Sequence, residues 1–420
     1  MAEEQNAHRN YAMLLGQGVA TSAAGELTSV RLVLPFLYAS VGAPVFFAGM
    51  LVPLSTVAKR AVQVLVAPLV SAARSRKRLI ALAGVATALA VAFISLTFNV
   101  VSVFWVVPVF LFAALVIGAA NGLSSLAFQD LIGRILSDKH RHVLLFTQSS
   151  LAGLIVVIVV LGSELLLQPG TSRAAHQELI WLGISLFALA ALLVMAVREP
   201  KEGQPAGDRS VDSHHGRQNV TLRQSFKTAL ALPWFGKFLI ARTLYLSIEL
   251  AIPFFSIHAA SFHGNSISGL NAFVIAANVG LMAGGLIWAK VGKASVDRIL
   301  VLAAGITCAG GLLAMAIELG FASQSIFLYA IVFVLVSLGA QGVKNGRTLY
   351  LINMASDEER PFCIAVANTT VGTIAIVFGT LLGALASFKG VGWPIGALVV
   401  LNVLAVAYTL RLPHEPAKAA

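Results

Sequence analysis

The sequence contains few charged residues for its length. Of its 420 residues, 11% are Asp, Glu, Lys or Arg, whereas 58% are hydrophobic. A soluble domain carries about 25% charged residues to cover its surface. Most of this chain's exterior therefore does not face water. Because apolar segments recur along nearly its whole length, the composition predicts a polytopic membrane protein.

Cysteine and catalytic motifs are scarce as well. Cys308 and Cys363 both lie in apolar stretches, so we expect packed thiols rather than a disulfide or a metal pair. The sequence has no Gly-x-x-x-x-Gly-Lys-Ser/Thr nucleotide-binding loop, so nothing in it supports a process driven directly by ATP. It also shows no nucleophile–base constellation and no clustered metal ligands. We therefore expect no catalytic residues, no cofactor and no metal.

The basic residues do not form one water-soluble basic domain, although the net charge is +11. We therefore expect no nucleic-acid partner. Lys and Arg concentrate in alternate short loops, at residues 74–78, 134–141 and 290–298. The loops at 41–44, 98–102 and 258–268 contain neither. By the positive-inside rule, both termini and the long middle loop are predicted to be cytoplasmic, in a bacterial inner membrane. The N-terminus, MAEEQNAHRN, lacks the features of a signal peptide, so we expect the first helix to be retained.

Twelve apolar stretches are long enough to cross a bilayer core of roughly 30 Å, which takes about 20 residues. They lie near residues 12–40, 45–71, 78–98, 102–128, 143–167, 177–197, 234–260, 267–290, 298–319, 325–350, 361–387 and 391–411. We number them spans 1 to 12.

A polar segment separates the spans into six plus six. Residues 199–224 are rich in Gly, Pro and charge, which is typical of a flexible tether. We therefore expect an N-terminal six-helix bundle at 1–198, a cytoplasmic linker at 199–232 and a C-terminal six-helix bundle at 233–420.

The two halves repeat one another with an offset of about 220 residues. LVLPFLYAS at 32–40 matches LAIPFFSIH at 250–258, and FTQSSLAG at 146–153 matches VANTTVGT at 366–373. Two parallel six-helix repeats are the pattern of an alternating-access transporter with its site at the repeat interface.

The chain resembles the major facilitator superfamily, whose Gly-x-x-x-Asp-Arg/Lys-x-Gly-Arg/Lys loop motif follows spans 2 and 8. GLIWAKVGK at 285–293 keeps its glycines and lysines, but Ala289 replaces the acid. The resemblance implies a twelve-helix secondary transporter in two pseudo-symmetric bundles, and it makes Lys290 and Lys293 gating candidates. Because the acid is missing, Asp130 and Arg134 are candidates for a substitute latch, or for a simple helix-end charge pair. The chain lacks the span 4 arginine and the span 5 Gly-Pro motif of drug/proton antiporters.

Charged residues inside the spans are costly and mark candidate functional sites. Lys59 and Arg60 are adjacent in span 2, so they lie about 100° apart and only one of them can face a central cavity. Arg31 and Glu249 lie four residues before Pro35 and Pro253, in matching positions with opposite charges. They could pair across the cavity, or fix helix packing as a static pair.

Further polar residues complete the candidate site. Arg242, Tyr245 and Glu249 share one face of an ideal helix, and Gln148 matches Asn368 in the repeat. Lys344 and Arg347 are expected to contact lipid headgroups or to line an inner gate. The substrate-binding candidates are Arg31, Lys59, Arg60, Gln148, Arg242, Tyr245 and Asn368. Glu26 and Glu249 are the candidate proton carriers, because burial favours the neutral carboxyl group.

These residues predict a monomeric, proton-linked carrier (a symporter) of a small anionic or amphoteric solute. An exporter of lipophilic or cationic compounds is an alternative, with the acids attracting the cargo. A transport-inactive membrane scaffold or receptor is a third possibility. The predicted partners are the lipid bilayer, a small-molecule substrate and protons.

Overall fold

The computed structural model describes residues 2–97, 103–136, 138–167, 171–199, 229–266, 268–291, 296–356 and 359–413. The expected linker at 199–232 lies mostly outside them. Within these ranges the regular structure is helical, and we number the helices in chain order. They are α1 Ala2–Leu27, α2 Val33–Ser40, α3 Val45–Ala48, α4 Leu51–Ala72, α5 Arg76–Thr97, α6 Val103–Ile135, α7 Asp138–Leu167, α8 Ser172–Met195, α9 Phe235–Leu244, α10 Leu246–Glu249, α11 Ala251–His263, α12 Gly269–Val291, α13 Val296–Glu318, α14 Ile326–Met354, α15 Arg360–Lys389 and α16 Gly392–Thr409.

Ten stretches of the described chain are long and apolar enough to cross a membrane. Predicted spans 1 and 5 are not among them. The apolar part of α7 covers 151–166 and is shorter, and span 1 is divided between α1 and α2. The all-helical membrane architecture is thus confirmed, whereas the number of twelve spans stays a prediction.

Spans 1 and 7 are broken at matching places, although the sequence predicts one continuous stretch for each. The first break separates Leu27 from Val33, and the second leaves α10 as a single turn ending at Glu249. Proline has no N–H to donate to the carbonyl four residues earlier, and its ring clashes with that carbonyl. For Pro35 and Pro253, those carbonyls belong to Arg31 and Glu249. The prolines therefore place both charged residues where the helices are interrupted.

The helices before and after the linker pack together at the end of the bundle opposite the basic loops. There α2 contacts α11, α3 contacts α15, and α7 contacts α12. Ser256 donates a buried hydrogen bond of 2.5 Å to the Leu32 carbonyl. Gly379 and Gly383 of α15 lie against the backbone of Gly49 and Phe46, so the absence of a side chain lets these helices approach closely.

The buried apolar side chains show where the halves separate. One core cluster draws residues from both halves, including Phe36 of α2, Phe254 of α11 and Phe273 of α12. Two further clusters each stay within one half, around Leu131 in the first and Phe235 in the second. Leu131 and Phe235 both lie near the basic loops. The protein is therefore closed at the end opposite these loops and divided at the basic end.

Candidate functional site

A cavity of about 540 Å³ lies between the two halves. This volume suits a small organic solute, because ligand pockets typically measure about 300–1,000 Å³. Its charged lining residues are Glu26, Arg31, Lys59, Glu249, Lys344 and Arg347. Polar lining residues include Thr21, Ser22, Thr28, Ser29, Ser55, Thr56, Thr87, Asn121, Ser337 and Gln341.

The break in span 1 supplies the first part of the site. Arg31 lies in the interrupted stretch, lines the cavity and is exposed to it. Glu26, on the last turn of α1, also lines the cavity and is partly buried. Arg31 and Lys344 both attract the Glu26 carboxylate electrostatically. This stretch thus brings a cation and a carboxyl group to the same wall.

Lys59 and Arg60 diverge as their helical spacing requires. Lys59 is exposed and lines the cavity. Arg60 points instead toward α15, where its guanidinium donates a hydrogen bond to the backbone carbonyl of Asn368. The prediction that only one of the pair faces the cavity is confirmed, and Lys59 is the one that does.

Glu249 has a different partner from the one that the sequence suggested. It forms an ion pair with Arg347 of α14, within its own half. The expected pair between Arg31 and Glu249 across the cavity is therefore wrong for this conformation. The reason is that the turn of α10 places Glu249 beside α14, a packing that repeat symmetry alone does not reveal.

Lys344 and Arg347 of α14 both line the central cavity. From the sequence, we expect them only at lipid headgroups or at an inner gate. The internal repeat contains a sign that α14 lines the cavity. Asn121-Gly122 in α6 and Gln341-Gly342 in α14 occupy matching places in the two halves. Asn121 and Gln341 both line the cavity.

Five predicted binding residues do not line the cavity in this conformation, namely Arg60, Gln148, Arg242, Tyr245 and Asn368. Besides Arg60, Arg242 donates a 2.7 Å hydrogen bond to the Asn368 side chain, so both belong to a contact around α15. Tyr245 is buried and bonds to Thr409. Gln148 is buried and donates to the Leu14 carbonyl at 2.8 Å. Burial against neighbouring helices explains these polar groups without a solute.

The gating candidates are only partly brought together. Asp130 accepts hydrogen bonds from Arg76 at 2.7 Å and from Arg134 at 3.1 Å, all within the first half. Lys290 is exposed at the end of α12, and Lys293 lies outside the described residues. Asp130 thus ties α6 to the start of α5, and its role as a latch stays a prediction.

A second polar cluster lies away from the cavity. His258 is buried in α11, with Nδ1 2.9 Å from the Tyr329 hydroxyl and Nε2 2.8 Å from Glu318. A neutral imidazole satisfies both bonds when the tyrosine donates to Nδ1 and Nε2–H donates to the carboxylate. Sequence patterns do not reveal this network, because its three residues lie on three separate spans.

Two helical halves that meet at one end around a charged central cavity have the architecture of an alternating-access transporter. Solved transporters share it over nearly the whole chain. The nucleoside transporter NupG matches with a TM-score of 0.69 at 10% identity, covering 96% of this chain and 98% of NupG. A D-xylose–proton symporter gives 0.68 at 13% identity, with the same coverage. The inward-open xylose transporter XylE from E. coli gives 0.67 at 15%, covering 98% of each chain.

The chain therefore has the major facilitator superfamily fold, as its sequence motifs predict. No protein-family model matches the sequence. Uncharacterized proteins of Mycobacterium tuberculosis and Mycobacterium bovis are each 27% identical over 301 residues, covering 70% of this chain and 56% of each relative. The chain spans about half the length of the curated relatives it matches.

Proposed function

We propose that the protein moves a small anionic solute across a membrane by alternating access, together with a proton. The observation that carries this proposal is the charge of the central cavity. Arg31, Lys59 and Lys344 line it, and none of the three has an ion-pair partner among the described residues. Unpaired cations inside a membrane protein are costly, so an anion that binds them offsets part of this cost.

The two halves contribute to the site in a way that suits alternating access. Arg31 and Lys59 belong to the first half and Lys344 to the second. An anion bound to all three would favour a conformation in which the halves approach one another around it. Arginine offers a planar fork for a carboxylate or phosphate, while lysine supplies a point charge.

Glu26 is the better of the two proposed proton carriers. As a carboxylate it competes with the solute for Arg31 and Lys344, which both attract it. Protonation removes this competition, so the affinity for the anion should rise as the pH falls. Positive coupling of this sign is what symport requires. Glu249 is already held by Arg347, so its protonation would first have to break an ion pair.

The membrane orientation is proposed from the basic loops. If these face the cytoplasm of a bacterial inner membrane, the present conformation is open to the inside. The inward-open state of the similar XylE structure supports this orientation of the cavity. On this basis the closed end, where α2 meets α11, faces the outside.

The proposal can be tested by thermal unfolding of the purified protein with a panel of small anions, cations and drugs at about pH 5.5 and 7.5. We expect one class of anions to stabilise it, more strongly at the lower pH. Arg31→Gln should abolish this stabilisation. Arg411→Gln removes the same charge from an exposed residue outside the cavity and should leave it intact. For an anion whose own charge is the same at both pH values, Glu26→Gln should keep the stabilisation but remove its pH dependence.

Two other outcomes would favour the alternatives. Stabilisation only by cations or lipophilic drugs, lost in Glu26→Gln and kept in Arg31→Gln, would identify an exporter of such compounds. Stabilisation by no solute, with no flux in reconstituted vesicles and loss of cellular function on deletion of 201–222, would identify a scaffold or receptor.

A further inference from the structure

The charge of the cavity sets a condition on the solute that goes beyond its sign. Four cationic and two acidic side chains line the cavity. Arg347 and Glu249 neutralise one another in a direct ion pair. The remaining groups are Arg31, Lys59 and Lys344, together with Glu26.

These three cations repel one another. All three line one cavity of about 540 Å³, and Glu26 lines it as well. One carboxylate leaves an excess of two positive charges. Such repulsion is stronger than in bulk water, because the helices around the cavity lower the effective dielectric constant.

A solute with a single negative charge would leave this excess half compensated. A solute with two negative charges would neutralise it while Glu26 stays ionised, and a protonated Glu26 would strengthen its binding further. Arg31 and Lys59 approach from the first half and Lys344 from the second, so a dianion can interact with both halves at once. A monoanion held by Arg31 leaves one positive charge of the cavity uncompensated.

We infer that the solute is a dianion, either a phosphate ester or a dicarboxylate, and that Lys344 of α14 selects for its second charge. This inference rests on the proposed function. Beyond that function, it specifies that the solute carries two negative charges and that Lys344, in the second half, determines specificity for the second one.

The experiment compares matched probes of similar size in thermal unfolding and calorimetric binding assays on the full chain. Succinate and succinamate differ by one charge, and so do glycerol 3-phosphate and glycerate near neutral pH. We expect one dianion of these pairs to bind at least ~10-fold more tightly than its monoanionic partner. The pair that shows this preference distinguishes a dicarboxylate from a phosphate ester.

Variants of Lys344 test its role in selection. Lys344→Gln should weaken the dianion far more than the monoanion, so that the preference falls to about threefold or less. Lys344→Arg, which keeps the charge, should retain the preference and serves if the glutamine variant does not fold. Lys389→Gln removes an exposed lysine of the same half, outside the cavity, and should change nothing.

Monoanions that bind as tightly as dianions, or a dianion preference unchanged in Lys344→Gln, would overturn the inference and leave an anion carrier in place. Binding of no anion of either charge would overturn the proposed function together with it.

Discussion

The backbone of α15 lies close to the start of span 2 only while the end opposite the basic loops is closed. Adding one methyl group at this contact therefore tests the equilibrium between conformations that are closed and open at this end. In Gly379→Ala, the added Cβ would lie 2.7 Å from the Gly49 carbonyl oxygen and 2.9 Å from Cγ of Pro53, where ordinary contacts begin at 3.4 Å. A backbone oxygen cannot rotate away as a flexible side chain can, so the two helices must move apart. Only conformations that are closed at this end are destabilised by the clash.

The expected magnitude follows from overpacking at other well-packed sites. Such changes cost about 1–3 kcal/mol, and a difference of this size shifts a two-state ratio by about 5- to 150-fold. Gly379→Ala should therefore move the protein from the state described here toward one that is open at the end opposite the basic loops.

Spin-label distances between the halves measure this shift. Labels at Thr171 and Asn265, both exposed at the closed end, should move apart in Gly379→Ala. Labels at Arg74 and Lys237, both exposed at the basic end, should come closer together.

The matched control is Gly305→Ala, which makes the same change within α13. Its added Cβ has no atom within 4 Å, so it should leave both distance distributions unchanged. Two results would contradict this expectation: distance distributions of Gly379→Ala equal to those of the unmodified protein, or a shift of the same extent in Gly305→Ala.

Three further substitutions test individual contacts by thermal unfolding. Asp130→Asn weakens the pair with buried Arg76 and should cost about 1–2 kcal/mol, since Asp130 is partly exposed; an unchanged Tm would contradict this. Tyr329→Phe leaves Nδ1 of buried His258 without its partner and should cost about 1–3 kcal/mol; full stability would mean that another donor replaces it. Glu249→Gln leaves its arginine partner without a counter-charge and should lower the Tm; an unchanged Tm would mean that the pair contributes no net stability.

The sequence predicts most of this architecture because its signals are long and repeated. Apolar runs of about 20 residues and alternate basic loops do not depend on tertiary contacts. Scarcity of cysteine limited the pairing options, and both cysteines are indeed free. The offset repeat pointed to a site between two similar halves, and the cavity lies there.

The sequence predicts cavity-lining residues correctly only where the position of a residue along its helix is enough to tell which way it faces. Arg31, Lys59 and Glu249 line the cavity as expected, and Glu26, which was expected only to carry a proton, lines it as well. Arg242 and Tyr245 do not, because the breaks around α10 change the helical face on which the prediction relied.

Hydropathy and the internal repeat are enough to identify a membrane protein of two repeated halves and to locate the charges within its spans. How these charges combine depends on the tertiary structure. Glu249 pairs with Arg347 rather than with Arg31, and Lys344 joins the cavity. Hydropathy and repeat periodicity are local properties of one segment. The partner of a buried charge instead depends on how neighbouring helices rotate and approach, and close backbone contacts such as Gly379 against Gly49 set that geometry.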